Sequence, residues 1–287
     1  MSRPAVQDPL SSRVRIGALE PGRLDEAAGL SRQAGWPHRR EDWALVLSLS
    51  QGFAALDDDG RLVGTAMATC FGVDAATINM VLVDEGLRGR GVGRRLMDAA
   101  LAACEGREQR LIATREGLPL YEKLGFRGVG EIAQHQGATP ARGALRREID
   151  WTRAGDDLSC VAALDREATG IDRGALLAAL ARAGEIGVLR EAGRITGYVV
   201  LRSFGRGEVA GPVVAASQAD ARSLLDAAFA RSTSDFVRVD TPDPGLGAWL
   251  AERGLAAVGG GLAMSRGPGH SPTSTARTYA LASQALG

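Results

Sequence analysis

Apolar positions along this chain change period repeatedly, and each change marks an element. Residues 14–19 form a short apolar run that reads as a strand, and the spacing over residues 24–34 predicts a helix. Pro37, in the polar and bulky segment Gln33 to Trp43, forbids a continuous helix, so a second one is predicted over residues 42–50. A strand at residues 52–56, the tight turn Asp57-Asp58-Asp59-Gly60 and a strand at 61–70 follow. The run at 78–83 is strand-like, breaks at Asp84-Glu85-Gly86, and leads through glycines into a helical pattern with Val92, Leu96, Ala99, Ala100 and Ala103 on one face. Then come a short strand at 111–114, a helix through Tyr121 ended by Gly125, and closing strands at 126–136 and 144–150 around the loop 137–140.

The second half echoes this order. Gly193-Arg194-Ile195-Thr196-Gly197 parallels Gly60-Arg61-Leu62-Val63-Gly64, each a turn feeding a strand, and Arg253-Gly254-Leu255 ends a helix as Leu124-Gly125-Phe126 does. Between these landmarks the pattern gives strands near 187–191, 194–203 and 208–215, a helix at 218–231, a strand at 236–240 and a helix near 246–252. A boundary is expected at 150–156. After Met264 the composition is that of a linker, and the apolar end, 279–286, either docks on the body or frays.

Composition narrows the function classes. The 287 residues are 45% hydrophobic and 24% charged, which is globular and long enough for two domains. Lys plus Arg and Asp plus Glu each number 34, so no net field favours nucleic acid or an anionic membrane as a partner. No apolar run has signal-peptide or transmembrane character, and a cytoplasmic protein is expected. Cys70, Cys104 and Cys160 lack metal or redox spacing and are expected to be buried apolar residues. No metal site is expected.

The chemistry concentrates after residue 83. A strand, the segment Arg88-Gly89-Arg90-Gly91-Val92-Gly93 and a helix would present bare backbone N–H groups to an anion, with Arg88, Arg90, Arg94 and Arg95 adding positive charge. Glycine is needed where a Cβ would hold phosphates away. The dinucleotide fingerprint would require glycine at 94, where Arg94 stands, and no Gly-Lys-Ser/Thr triplet marks a nucleoside-triphosphate loop. The remaining pattern, R-x-x-G-x-G after a strand, resembles the acyl-CoA motif of the GCN5-related N-acetyltransferases, and Leu120-Tyr121-Glu122-Lys123-Leu124-Gly125-Phe126 resembles the family's tyrosine signature.

The resemblance covers residues 13–150 and implies a mixed, mostly antiparallel sheet flanked by helices, in the α/β (α+β) class. It implies that Val81, Leu82 and Val83 meet pantetheine, and that Arg88, Gly89, Arg90, Gly91, Val92, Gly93 and Arg94 wrap the pyrophosphate of acetyl-CoA. Tyr121 would protonate the departing thiolate, since a phenol with pKa near 10 is neutral at physiological pH. The linker between the first two helices shapes the acceptor pocket in relatives, which makes Trp36, His38 and Trp43 pocket candidates; two tryptophans so close could equally pin the helix pair. Glu116, Asp74, Asp84, His38 and His135 are conceivable bases, and none is singled out; Glu116 and His135, with Trp36 and His38, form the substrate set.

The second half looks like a degenerate copy. Its strand–helix junction, Gly211 to Asp220, has no R-x-x-G-x-G, and Leu250 stands where Tyr121 does in the first half. The expected organisation is a catalytic domain at 13–150, a degenerate domain at 151–268 that shapes the acceptor site, stabilises the first domain or mediates a homodimer, and a tail at 269–287. The expected activity is acetyl transfer from acetyl-CoA to a small-molecule amine by direct attack. The alternative is an acyl-CoA-binding regulatory or scaffold protein without turnover.

Overall fold

The structure is a computed structural model that describes residues 14–141, 147–152, 157–269 and 274–287. The chain gathers into two compact units: residues up to Cys70 with Ile78–Glu105, and Phe71–Thr77 with Gly106–Gly287.

In the first unit β1 (Arg15–Ala18) pairs antiparallel with β2 (Gln51–Leu56), which pairs antiparallel with β3 (Leu62–Phe71). Between β1 and β2 lie α1 (Leu24–Gln33) and α2 (Arg40–Ser48). Trp43 pins this helix pair: its ring is fully buried and its indole N–H donates to Ser31 Oγ at 3.0 Å. The strand β4 (Ala75–Val83) ends in this unit, followed by a 3₁₀ turn at Glu85–Leu87 and the amphipathic helix α3 (Val92–Ala103). Leu96 of α3 lies so close to β3 that a Cβ on Gly64 would sit 2.9 Å from its Cδ1.

The second unit begins with the first residues of β4, which pair in parallel with β5 (Glu108–Ala113) from Ala75↔Glu108 to Thr77↔Arg110. Then come α4 (Leu118–Lys123), β6 (Arg127–Ala138) and β7 (Asp150–Thr152). After them run α5 (Leu158–Thr169), α6 (Gly174–Ala183), β8 (Gly184–Glu191), β9 (Arg194–Phe204), β10 (Gly207–Ala215), α7 (Gln218–Arg231), β11 (Phe236–Thr241), α8 (Pro244–Glu252), β12 (Ala256–Arg266) and β13 (Arg277–Ala280). Thus β1-α1-α2-β2-β3-β4-α3-β5-α4-β6 recurs element for element as β7-α5-α6-β8-β9-β10-α7-β11-α8-β12. The repeat inferred from two glycine landmarks extends over the whole described chain up to β13.

The repeats exchange their last strands. From β5 the order is β5-β12-β6-β11-β10-β9-β8-β7. The first repeat's β6 pairs antiparallel with the second repeat's β11, Thr241↔Ala133 to Phe236↔Ala138. In return β12 pairs antiparallel with β5, Leu262↔Ala113 to Arg266↔Gln109, and with β6. Beneath the second repeat lies an apolar core of Val199, Val213, Leu224, Leu225, Val237, Leu246 and Leu250.

Three expectations change and one open alternative closes. The closing strand expected at 144–150 lies partly outside the described residues; strand begins only at Asp150, and it pairs with β8, Trp151↔Gly187, inside the second repeat. The residues just before 264, given no element from sequence, form β12; their glycines hid the strand. The apolar end docks: β13 pairs with β10, and Leu281, Ala282 and Leu286 are buried. Of the cysteines only Cys104 is buried, Cys70 and Cys160 being exposed.

Candidate functional site

Two glycines shape the loop after β4. Gly89 and Gly91 adopt positive φ, 75° and 83°, where an L side chain is strained, and an added Cβ at either would meet nothing within 4 Å. Both are open positions demanded by backbone conformation. Gly91 is the N-cap of α3, so no side chain caps the helix, and its first turn carries no acidic residue. The first N–H groups of α3 therefore keep their anion-binding capacity.

The loop arginines divide. Arg88 donates through Nε to the Val83 carbonyl at 3.2 Å, and exposed Arg94 pairs with Asp98 one turn on at 2.8 Å. Arg95 turns away, donating to the Val14 carbonyl at 2.6 Å. It ties the helix to the start of the sheet instead of adding charge to the loop, a correction to the sequence reading. Asp84 accepts from the Gly86 N–H at 3.0 Å, so it holds the turn before the loop.

Upstream, β4 carries a backbone irregularity. Met80 has φ +50° in mid-strand, and its carbonyl accepts from Thr65 Oγ1 at 2.7 Å. A positive φ on a bulky residue is rare and clusters at functional sites. It precedes Val81, Leu82 and Val83, of which Leu82 is buried and the two valines half-buried. No feature of the sequence reading singled out Met80.

Tyr121 sits on α4 with its side chain 7% exposed and its ring edge-on to Phe126 at 6.3 Å. A Cβ on Gly117 would come within 2.6 Å of Cε2 of that ring, so this glycine makes room for the tyrosine. Burial pushes the phenol up to about 12. It is a neutral proton donor throughout the physiological range.

The other sequence candidates lie on separate elements. Trp36 and His38 stand together, ring centroids 5.6 Å apart, on the α1–α2 linker. Glu116 is exposed in the loop before α4. His135 is buried on β6, its Nδ1 3.0 Å from the Leu255 carbonyl oxygen, and its Nε2 would touch a Cβ on Gly247 at 3.0 Å. These contacts lock it between β6 and α8.

The second repeat fills each of its corresponding positions with its own residues. The α7 N-cap is Ser217, whose Oγ accepts from the Asp220 N–H at 3.1 Å, and Arg147 donates to Asp220 at 2.8 Å. A carboxylate in the first turn already serves the positive end of that helix dipole. The β10·β11 parallel ladder spans only Glu208↔Val237 and Val209↔Arg238. Beyond it β13 pairs with β10, from Ala215↔Arg277 to Val213↔Ala280, and the following residue, Leu281, donates to the Asp240 carbonyl of β11 at 2.8 Å. Backbone in the splay beyond β10 and β11 is thus bonded to backbone of the same chain.

Models of the acetyltransferase (GNAT) domain match residues 49–128 and, separately, 161–280. An uncharacterised N-acetyltransferase of Bacillus subtilis, YitH, is 30% identical over 227 residues, covering 76% of this chain and 79% of the relative. A putative acetyltransferase from Pyrococcus horikoshii has the same fold, with TM-score 0.80 at 19% identity over 96% of both chains. A tandem GNAT protein from the clavulanic acid biosynthesis pathway superposes with TM-score 0.61 at 14% identity, over 89% of this chain and 99% of that one. With two matched GNAT domains, an N-acetyltransferase relative over most of its length and a duplicated fold, this chain belongs to the GCN5-related N-acetyltransferase family and has a tandem GNAT fold.

Proposed function

We propose that the protein transfers an acetyl group from acetyl-CoA to the amine of a small molecule, using the first repeat alone for cofactor and chemistry. The observation that carries this reading is the uncapped N-terminus of α3 beneath two left-handed glycines, with Arg88, Arg90 and Arg94 in the same loop. Its backbone N–H groups and arginines suit a pyrophosphate, and the β4 backbone at Val81–Val83 suits a pantetheine arm. In the second repeat Asp220 and β13 take up the equivalent positions. On this reading residues 13–150 are the catalytic domain, 151–268 the degenerate one and 269–287 the tail, of which β13 and the residues after it plug the second repeat.

Acetyl-CoA supplies a thioester whose carbonyl the amine attacks directly. The new C–N bond forms as the C–S bond breaks, the thiolate takes the proton of Tyr121, and the amine's proton leaves to solvent or a base. A tyrosine raised to about 12 is fully protonated at neutral pH, so its proton is in place when the thiolate forms, and the phenolate recovers it from solvent before the next turnover.

Calorimetric titration with acetyl-CoA tests the reading. One site per chain, abolished by Gly91→Glu, is expected. Two sites would overturn the assignment of the second repeat, and no binding would overturn the function itself.

A further inference from the structure

A cavity of about 640 Å³ lies where the exchanged strands meet. Its rim comes from two equivalent strand ends: Thr114, Arg115 and Leu118 after β5, and Thr241 to Pro244 at the end of β11. Its floor is the β6·β12 ladder, where Ala133, Ile132 and Glu131 pair with Gly260, Gly261 and Leu262. The cavity therefore opens at the carboxyl ends of two corresponding strands, β5 and β11. Its volume suits a metabolite-sized ligand.

The lining also selects. Asp243 is spent, because one oxygen accepts from the Leu246 N–H at 2.7 Å and from Gln218 at 2.8 Å, and the other from Arg277 at 2.9 Å. Thr241 donates to the Tyr279 carbonyl at 2.7 Å. That leaves one carboxylate, Glu131, and one guanidinium, Arg115; neither has a side-chain hydrogen bond or ion pair with any described residue, nor do they pair with each other. Both side chains are exposed at the cavity, so an incoming ligand meets one negative and one positive group, a lining that complements a ligand carrying both an ammonium and an anion. Leu118 on the rim is one turn before Tyr121 on α4.

We propose that this cavity is the acceptor site, that it takes an amino-acid-like amine with its ammonium on Glu131 and its carboxylate on Arg115, and that the second repeat exists to complete it. The inference rests on the acetyltransferase reading above, which assigns the cofactor but leaves the acceptor open.

Gly259 provides the test. It lines the cavity, its φ is not left-handed, and an added Cβ would meet nothing within 4 Å, so Gly259→Leu fills the space without disturbing the ladder. The probes are free L-amino acids and, as controls, alkylamines without a carboxylate, read by thiol release from acetyl-CoA and by thermal shift with the amine alone. Amino acids are expected to be acetylated in preference to the alkylamines. Gly259→Leu should remove both signals while acetyl-CoA still binds, and Glu131→Gln and Arg115→Gln should each raise KM about ten- to a hundredfold, the loss of one charge-assisted contact. Equal or better use of alkylamines, no acetylation of any amino acid, or a Gly259→Leu variant with normal KM would each overturn the acceptor assignment. Because acetyl-CoA binding is measured separately, none of these results would by itself remove the cofactor site.

Discussion

Leu281 donates its backbone N–H to the carbonyl oxygen of Asp240 at 2.8 Å, which fastens the end of the chain to β11 just past the short ladder that β11 shares with β10. The carbonyl of Leu281 is equally tightly placed: a Cβ on Gly211 would lie 2.0 Å from it. Gly211→Ala therefore forces backbone against backbone, a clash that no side-chain rotation relieves. It should destabilise the protein by about 1–3 kcal/mol, the range for overpacking. Denaturant midpoints would show this, accompanied by faster proteolysis after residue 276; a midpoint within error of the parent would mean the tail is not seated as described.

Tyr121 links burial to pH. Its folded pKa, about 12, lies above the ordinary value near 10, so the phenol is neutral in both states below pH 10 and its contribution is complete there. Between pH 10 and 12 the unfolded chain releases the proton and the folded one does not, so stability falls as pH rises, by about 3 kcal/mol in all. Tyr121→Phe removes this component. The gap in stability between parent and variant should narrow, or invert in favour of the variant, from pH 9 to pH 11.5 in urea titrations.

The same hydroxyl should matter for turnover and little for cofactor affinity. Tyr121→Phe should lower kcat by about 10²–10⁴-fold, the range for one general acid, with acetyl-CoA affinity unchanged. An unaltered kcat in a chemistry-limited assay would remove the acid role.

Local order was legible in the sequence, and long-range pairing was not. The loop at 88–94 and Tyr121 stood out because the family motifs they resemble fix residue types at fixed spacing. The repeat showed through glycine landmarks, since Gly60 and Gly193 both take φ near 78° in turns that few other residues tolerate. The exchange of β6 and β12 left no such mark. Ala256–Arg266 contains three consecutive glycines and few β-formers, and what makes it a strand is partnership with β5 and β6 on either side. Gly260 has φ +145°, and a Cβ there would lie 1.9 Å from the Ile132 carbonyl. The glycines that disguise the strand are what lets it fit. The cavity was equally invisible, because its residues come from turns and strands more than a hundred positions apart.

A buried ionic cluster underlies the second repeat. Asp165, fully buried, accepts from Arg173 at 2.6 and 2.9 Å and from the Tyr198 hydroxyl at 2.5 Å. Burial and the neighbouring carboxylate hold the tyrosine well above its ordinary pKa. Asp165→Ala strands a guanidinium that cannot shed its proton, and should cost about 3–5 kcal/mol. Tyr198→Phe leaves both arginine contacts in place and removes one hydrogen bond to a carboxylate, which should cost about 1.5–3 kcal/mol. Chemical denaturation of the two variants would separate them, and equal costs would contradict this description of the cluster.

The strand exchange makes the repeats interdependent. With β12 between β5 and β6, and β6 against β11, no cut between the repeats leaves either sheet complete, and the β5 edge of an isolated first repeat would be an open template for association. Gly260→Ala strikes this junction where φ and the Ile132 carbonyl both exclude a side chain. Amide hydrogen exchange should then show protection falling in parallel in β5 and β6, which belong to the first repeat, and in β11, which belongs to the second. Residues 1–150 expressed alone should aggregate. Loss confined to β12, with β5 and β11 still protected as in the parent, would show that the repeats unfold separately and that the exchange is topology without cooperativity.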